Sequence, residues 1–182
     1  MKKFIALLSA SVLLCSATVS ASSPSAQAVL ASAGFSDAGD AQAAANRGMS
    51  AGEYYNNTVV TTPGVENAMP VGQGGKIVVN GVATNLTATL SKVDKDLAAD
   101  AVSQAAALGG SLLNVISISI PNANFNVATV NFYLKGLAGG TKVVAKQLIN
   151  GVWVDVEIVE IREDHVVLNL TGSGAIAFVA LP

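Results

Sequence analysis

Two β-type segments meet at Asn150-Gly151, and this junction constrains the fold more than any other feature of the chain. Lys142–Ile149 leads into the dipeptide, and Val152–Ile158 leaves it with strict alternation of apolar and polar residues. Asn-Gly suits a two-residue hairpin turn because both positions need a positive φ. We therefore predict an antiparallel hairpin with one buried face. Its inward residues are expected to be Val152, Val154, Val156 and Ile158, and its outward residues Trp153, Asp155 and Glu157.

Further strand candidates recur along the second half of the chain, separated by turn residues. Val159 and Ile161 fall on the opposite parity from the hairpin strand, which predicts a β-bulge or a strand that changes partners. Tyr133 falls on the outward face of its own strand. The other candidate strands are Lys76–Asn80 and Thr84–Leu90 around Asn80-Gly81, Leu112–Ile120, Val127–Leu134, a strand containing Val166, Leu168 and Leu170, and Ala175–Leu181.

One long helix is predicted over Val93–Leu108. Acidic residues near its start suit the positive end of the helix dipole, and Gly109-Gly110 ends it. Short strands with half-buried alternation favour a mainly β fold, either a β-sandwich or an antiparallel sheet. The stripe by which the helix is expected to pack contains Val93, Leu97, Ala101, Ala105 and Leu108.

Residues 1–21 have the three parts of a secretory signal peptide. A basic start is followed by the apolar run Phe4–Leu14, and Val19-Ser20-Ala21 supplies small residues for cleavage after Ala21. The apolar run is too short to span a membrane. We predict a protein that is secreted and is extracellular or associated with the cell surface. Cleavage also removes Cys15, the one cysteine of the chain, so we expect no disulfide.

The alternative for this segment is a lipoprotein anchor at Cys15. A lipobox normally has Gly, Ala or Ser directly before the cysteine, and Leu14 occupies that place here. We therefore favour the cleaved signal peptide.

The mature chain is expected to have two parts. Residues 22–75 are rich in Ser, Ala, Gly and Asn and contain a capping-box pattern at Ser50–Glu53, so we predict an arm with short helices. Tyr54 and Tyr55 follow this box, and such aromatics favour an arm that docks on the main domain over a free linker. Residues 76–182 form the predicted β domain.

The composition argues against nucleic-acid binding and supplies few residues of the types used in catalysis. Charged residues make up only 12 % of the chain and the net charge is −2, so a basic surface for nucleic acid is not expected.

His165 is the one histidine, and it is interpreted as a turn residue in preference to a general base. We predict no enzymatic activity, no cofactor and no metal. Five acids are interpreted as a solvated face in preference to a calcium site: Asp155, Glu157, Glu160, Glu163 and Asp164.

Trp153 and Tyr133 are the candidate ligand-binding residues. Both fall on the outward parity of their strands, and exposed aromatics on a sheet face stack on sugar rings or anchor a partner. The alternative, which we favour for Trp153, is that the predicted helix or the arm covers its ring.

Several segments resemble uncharacterised exported proteins of anaerobic Gram-positive bacteria. Val130–Leu137, Asn150–Val154 and Asp164–Val167 are similar to the C-terminal domains of that group, and Pro63–Gly75 is similar to their N-terminal part. The resemblance implies an immunoglobulin- or fibronectin-like sandwich outside the cell, and it assigns no functional residue.

The function expected from these observations is that of a secreted, non-enzymatic β-sandwich module, with a binding or structural role at the cell exterior. Its expected partner is an extracellular protein or a glycan, with no nucleic acid and no membrane span. The alternative is a carbohydrate-binding domain that uses Trp153 and Tyr133.

Overall fold

The computed structural model describes residues 60–84, 86–121 and 125–182. The predicted signal peptide and the arm as far as residue 59, with its capping box and its two tyrosines, lie outside these ranges.

The described residues form eleven strands and one helix. The strands are β1 (Val71–Gln73), β2 (Val78–Val79), β3 (Val82–Ala83), β4 (Thr89–Lys92), β5 (Ser111–Ser119), β6 (Ala128–Leu134), β7 (Lys142–Ile149), β8 (Val152–Asp155), β9 (Glu157–Arg162), β10 (His165–Leu170) and β11 (Gly174–Leu181). Helix α1 (Lys95–Ala107) lies between β4 and β5.

The strands form two antiparallel sheets with a shared core. Sheet A has the order β3-β2-β6-β10-β9, with β1 also paired to β6, and sheet B has the order β4-β5-β11-β7-β8. Phe132 of β6 and Phe178 of β11 meet edge to face, with ring centroids 5.3 Å apart, and both are fully buried. The prediction of a mainly β protein with antiparallel sheets and one helix is confirmed.

Both predicted Asn-Gly turns form hairpins. Asn150 and Gly151 join β7 to β8 with φ of 51° and 80°, and Asn80 and Gly81 join β2 to β3 with φ of 48° and 81°. These positive φ values explain why the dipeptide was a reliable signal, since Asn tolerates this region and Gly adopts it without steric cost.

The chain after Asn150-Gly151 changes sheets, and of the two predicted causes of the parity change at Val159 the bulge is the one observed. β8 pairs with β7 in sheet B, and β9 continues the chain to pair with β10 in sheet A. The register of β9 shifts between Val167 and Leu168, opposite Glu160 and Ile158, so Val159 is the extra residue of a bulge. Val159 is consequently exposed.

Val152 lies on the predicted inward side of its strand, but it is not buried in the core. It is 62 % exposed and Val154 is 38 % exposed. Both lie on the side of sheet B that faces sheet A, because their register places them opposite Ile149 and Gln147. β8 is the edge strand of sheet B, and at this edge sheet A does not cover the two valines. Val156 and Ile158, further along, do pack against the core.

Helix α1 lies on the outer face of sheet B. The Asp94 carboxylate caps it by accepting a hydrogen bond from the Leu97 N–H at 2.8 Å. Its buried residues are Ala98, Ala101 and Ala105, which pack with Val115, Ala177 and Val179 of the sheet. The predicted stripe was therefore rotated: Ala101 and Ala105 are correct, but Leu97 is only half-buried and Leu108 is exposed. Small side chains allow the helix axis to lie close to the sheet.

Residues 60–75, which the sequence placed in the arm, pack against strands of both sheets. Val60 bridges to Val71 of β1. The fully buried Asn114 of β5 fastens this segment, because its Nδ2 donates to the Val60 and Met69 carbonyls at 3.0 and 2.7 Å. Its Oδ1 accepts from the N–H groups of Thr62 and Val115. Every polar atom of this side chain is thus satisfied.

Candidate functional site

The outer face of sheet A, on the side away from the core, carries an unusual group of side chains. Asn131 and Tyr133 alternate along β6, and their partners on β10 are Val167 and His165. His165 in turn pairs with Arg162 on β9. Residues that pair across strands, or that are two apart on one strand, share a face. These five residues, which we call the sheet A cluster, therefore lie together on one surface.

Four of the five side chains in the sheet A cluster are buried, although this face points away from the core, and Arg162 is half-buried. Asn131 is 2 %, Tyr133 4 %, His165 3 % and Val167 3 % exposed. The outward direction of Tyr133 was predicted correctly, but the side chain is not exposed.

Polar atoms of the sheet A cluster are buried without hydrogen-bond partners among the described residues. They are Asn131 Nδ2, Asn131 Oδ1, His165 Nε2 and Arg162 Nη1. Leaving one buried donor or acceptor unsatisfied costs about 1–3 kcal/mol. Native proteins contain few such atoms, and each one calls for an explanation.

His165 is held as a neutral ring. Burial lowers its pKa from the ordinary 6.5, and the positive charge of Arg162 acts in the same direction; the Glu163 carbonyl and the Asp164 carboxylate oppose this shift. Nδ1 lies 3.1 Å from the Glu163 carbonyl oxygen, which can only accept a hydrogen bond. The proton of the neutral ring is therefore on Nδ1, and Nε2 is an acceptor.

Arg162 supplies a donor beside this ring. Its Nη2 pairs with Oε1 of Glu160, which lies two residues away on the same face of β9. Burial lowers the pKa of Arg162, but a guanidinium stays protonated in proteins. The Glu160 carboxylate offsets the positive charge of Arg162, and the Arg162 Nη1 remains available to donate a hydrogen bond.

Gly74 lets Asn131 and His165 lie over the backbone that leaves β1. Its N–H donates to the Asn131 carbonyl at 2.6 Å. A Cβ at position 74 would stand 2.8 Å from Asn131 Oδ1 and 2.9 Å from His165 Cδ2. Only glycine fits this position without moving the two side chains.

The unpartnered atoms form a balanced set of two donors and two acceptors. Asn131 Nδ2 and Arg162 Nη1 donate, and Asn131 Oδ1 and His165 Nε2 accept. A group that offers a donor and an acceptor side by side, such as an amide, complements this set better than an anion does. The Tyr133 ring, 5.3 Å from the His165 ring, and the Val167 side chain add apolar surface beside it.

The structure does not bring Trp153 and Tyr133 together. Trp153 lies on β8 of sheet B, and Tyr133 lies on β6 of sheet A, so the two rings do not share a sheet face. Trp153 is half-buried beside α1, where its Nε1 donates to Asp100 Oδ2 at 2.6 Å. A ligand-binding role for either residue alone stays a prediction.

Three of the acidic side chains near β8 and β9 each bond to a different partner. Asp155 pairs with Lys146 at 2.7 Å, and Asp164 Oδ1 accepts from the Gly136 N–H at 2.7 Å. Glu157 Oε2 accepts from Asn169 Nδ2 at 2.9 Å. In the described ranges, no group of three or more His, Cys, Asp or Glu side chains is arranged to hold a metal ion.

A groove of about 400 Å³ between α1 and residues 65–69 is a second concave feature. Its lining includes Val65, Met69 and Leu112, while Glu66 and Asn67 stand exposed at its rim. None of the buried unpartnered atoms of the described residues belongs to its lining. The groove therefore lacks the buried unpartnered polar atoms that distinguish the sheet A cluster.

Sequence reasoning found some members of the sheet A cluster and missed others. His165 and Tyr133 were singled out, whereas Asn131, Arg162 and Gly74 were not. The available signal for Asn131 was an amide within the otherwise apolar run Val127–Leu134. Whether that amide finds a partner depends on strands distant in the chain, and alternation alone does not reveal it.

No helix in the described ranges has the length and apolar character needed to cross a membrane. No family model matches the chain, and neither does any curated protein or solved structure.

Proposed function

We propose that this protein is an exported, non-enzymatic binding module and that the sheet A cluster is its binding surface. In this proposal the two sheets form an immunoglobulin- or fibronectin-like sandwich, and the module acts at the cell exterior. The signal-peptide pattern of residues 1–21 supports export. The packing of two antiparallel sheets through Phe132 and Phe178 supports the sandwich.

The observation that carries the binding role is the set of buried, unpartnered polar atoms on Asn131, His165 and Arg162. Such atoms reduce the stability of the free protein. A partner that satisfies them regains that free energy on binding, so they favour recognition at the expense of stability. Asn114 shows that this fold is able to satisfy a buried amide fully.

The chemistry of the surface favours a peptide as the partner. Asn131 and Tyr133 are two residues apart on β6, a spacing of about 6.8 Å that matches the repeat of an extended peptide. The balanced donors and acceptors suit backbone amides. The apolar surface of Tyr133 and Val167 suits a side chain between them.

Two features of the cluster support binding in preference to catalysis. The Nδ1 proton of His165 is held by a backbone carbonyl, not by a carboxylate that would strengthen the ring as a base. The unpartnered groups beside Nε2 are an amide and a guanidinium, neither of which is a nucleophile.

Peptide and glycan arrays probed with the exported protein test this proposal. We expect bound peptides whose affinity falls at least about tenfold in Asn131→Leu, the fold-change of a lost 1.4 kcal/mol. Asn169→Leu is the matched control, because Asn169 lies on the same sheet face and is already bonded to Thr129 and Glu157. Its binding is expected to be unchanged.

Two results would overturn the proposal. One is the absence of any peptide whose binding depends on Asn131. The other is binding to glycans that is lost in Trp153→Ala and retained in Asn131→Leu, which would favour the carbohydrate-binding alternative.

A further inference from the structure

Strand β8 has one side to which no other described strand is paired. It is the last strand of sheet B, and its other side pairs with β7. The Val156 N–H, just beyond β8, donates to the Ala145 carbonyl of β7 at 2.9 Å. Successive residues of a strand direct their backbone groups to opposite sides. Val154 therefore faces β7 with its N–H and C=O groups, whereas Trp153 and Asp155 direct theirs away from β7.

The strands at the other three ends of the two sheets carry features that block the addition of a strand. β3 has only two residues, β9 contains the bulge at Val159, and β4 carries the exposed Lys92. Short strands, bulges and lysines are common devices against pairing at an edge. β8 has neither a bulge nor a lysine, and its Val152 and Val154 side chains are exposed.

We infer that two copies of this chain associate by antiparallel pairing of their β8 strands, which joins the two copies of sheet B into one continuous sheet. An isologous pair of this kind has a two-fold axis, so the same strand supplies both sides of the contact. The inference does not depend on the binding role proposed for the sheet A cluster.

Hydrogen bonding and charge select one register for this pair. With Val154 at the two-fold axis, Trp153 of each copy lies opposite Asp155 of the other, and every outward N–H and C=O group of both residues is hydrogen-bonded. With Asp155 at the axis, two carboxylates lie directly opposite each other, which is unfavourable. With Trp153 at the axis, Asp155 lies opposite Gly151 of the turn. Each of these alternatives bonds only the residue at the axis.

The side chains fit the selected register. Asp155, the one charged residue of β8, is paired with Lys146 of its own copy at 2.7 Å, and Trp153 of the other copy lies opposite it. Like charges therefore do not meet where the strands join. On the other face of the sheet Val154 lies against its own equivalent, and Val152 lies near the end of β8 of the other copy. Pairing thus removes part of the exposed apolar surface of both valines from water.

Sedimentation of the exported protein tests the self-association. We expect the mass of a monomer at about 5 µM and a rise toward the mass of a dimer at about 200 µM, because an interface of this size is weak. Asp155→Pro removes an outward N–H and leaves the β7–β8 hydrogen bonds intact, so it should weaken the association at least about tenfold. Asp155→Ala is the matched control. It also removes the ion pair with Lys146 but keeps the N–H, and it should associate as the parent protein does.

Disulfide cross-linking tests the register without a proline. In a Cys15→Ser background, which removes the one natural thiol, Val154→Cys places the thiols of two copies opposite each other at the axis. The Cα atoms of such a non-hydrogen-bonded pair are about 4.5 Å apart, which a disulfide can span. Val152→Cys is the matched control, because in this register its two thiols lie opposite Val156 and are about 14 Å apart along the strands.

We expect the Val154→Cys protein to form a cross-linked dimer at least about tenfold faster than the Val152→Cys protein, although Val152 is the more exposed site. Random collision would give the opposite order.

Three results would each overturn the inference: equal cross-linking of the two cysteine variants, a monomer mass for the parent protein at about 200 µM, or association of Asp155→Pro as strong as that of Asp155→Ala. None of these measurements requires a bound peptide, so their failure is distinct from a failure of the proposed function.

Discussion

Gly74 and Asn131 are joined through both backbone and side chain. The Gly74 N–H donates to the Asn131 carbonyl at 2.6 Å, and the Asn131 side chain occupies the space where a Cβ of residue 74 would stand. The glycine thus determines where the amide of the sheet A cluster lies.

Gly74→Ala is expected to destabilise the protein by about 1–3 kcal/mol, the usual cost of forcing an extra methyl group into a packed site. The new Cβ would contact Asn131 Oδ1 and His165 Cδ2 at less than 3.0 Å. Gly139→Ala is the control, because a Cβ at position 139 meets nothing within 4 Å. The urea midpoints of the two variants check this. Equal midpoints would mean that the Asn131 and His165 side chains move aside without a cost in stability.

His165 makes stability depend on pH. Its pKa is lowered in the folded state by burial, so between that value and 6.5 the unfolded chain binds more protons than the folded one. Stability is therefore complete above about pH 6.5 and falls on acidification, by at most about 1.4 kcal/mol per pH unit. Denaturation curves at pH 7.5 and 5.0 measure the loss.

His165→Asn is the control for this dependence. The asparagine amide keeps a donor near the Glu163 carbonyl and does not titrate. Glu163, Asp164 and Arg162 remain in place, so the change in stability between the two pH values should shrink in the variant. An unchanged dependence would assign the effect to other groups.

Val152→Asp is expected to change stability by less than about 0.5 kcal/mol, since Val152 is 62 % exposed. Val130→Asp, on the fully buried face of β6, should prevent folding or cost several kcal/mol, because it buries an unpaired carboxylate. Thermal melting of both variants decides the matter. Similar losses in the two would mean that sheet A does cover the β8 edge.

Trp153 and Asp100 should be energetically coupled through their 2.6 Å hydrogen bond. A double-mutant cycle with Trp153→Phe and Asp100→Ala is expected to give about 0.5–1.5 kcal/mol. Asp96→Ala replaces Asp100→Ala in the control cycle, since Asp96 lies in the first turn of the same helix. A coupling near zero in the Asp100 cycle would show that the ring is not held against α1.

Local chemistry explains which parts of the fold were predictable. Asn80-Gly81 and Asn150-Gly151 require positive φ, so their turns can be recognised from neighbouring residues alone. The parity change at Val159 likewise signalled the bulge. Alternation gave the correct side of sheet B for Val152, but it contains no information on how far sheet A extends.

The candidate site was only partly predictable for the same reason. Tyr133 and His165 stood out by residue type, yet their pairing depends on the register between β6 and β10, which are about 30 residues apart. The surroundings of the Asn131 side chain likewise include Gly74 and Val167, which come from two other strands or their ends. Only the assembled sheet brings these residues together.

The two buried asparagines give the most direct test of the central claim, that the sheet A cluster keeps polar atoms unsatisfied for a partner. Asn114 and Asn131 are 0 % and 2 % exposed, but only Asn114 has all its side-chain atoms bonded. The decisive measurement is the free energy of unfolding in urea for Asn131→Leu and Asn114→Leu. The account predicts that Asn131→Leu is stabilised by about 1–3 kcal/mol, because it removes unpaired polar atoms, while Asn114→Leu is destabilised by at least as much. Destabilisation of Asn131→Leu to the same extent as Asn114→Leu would contradict it.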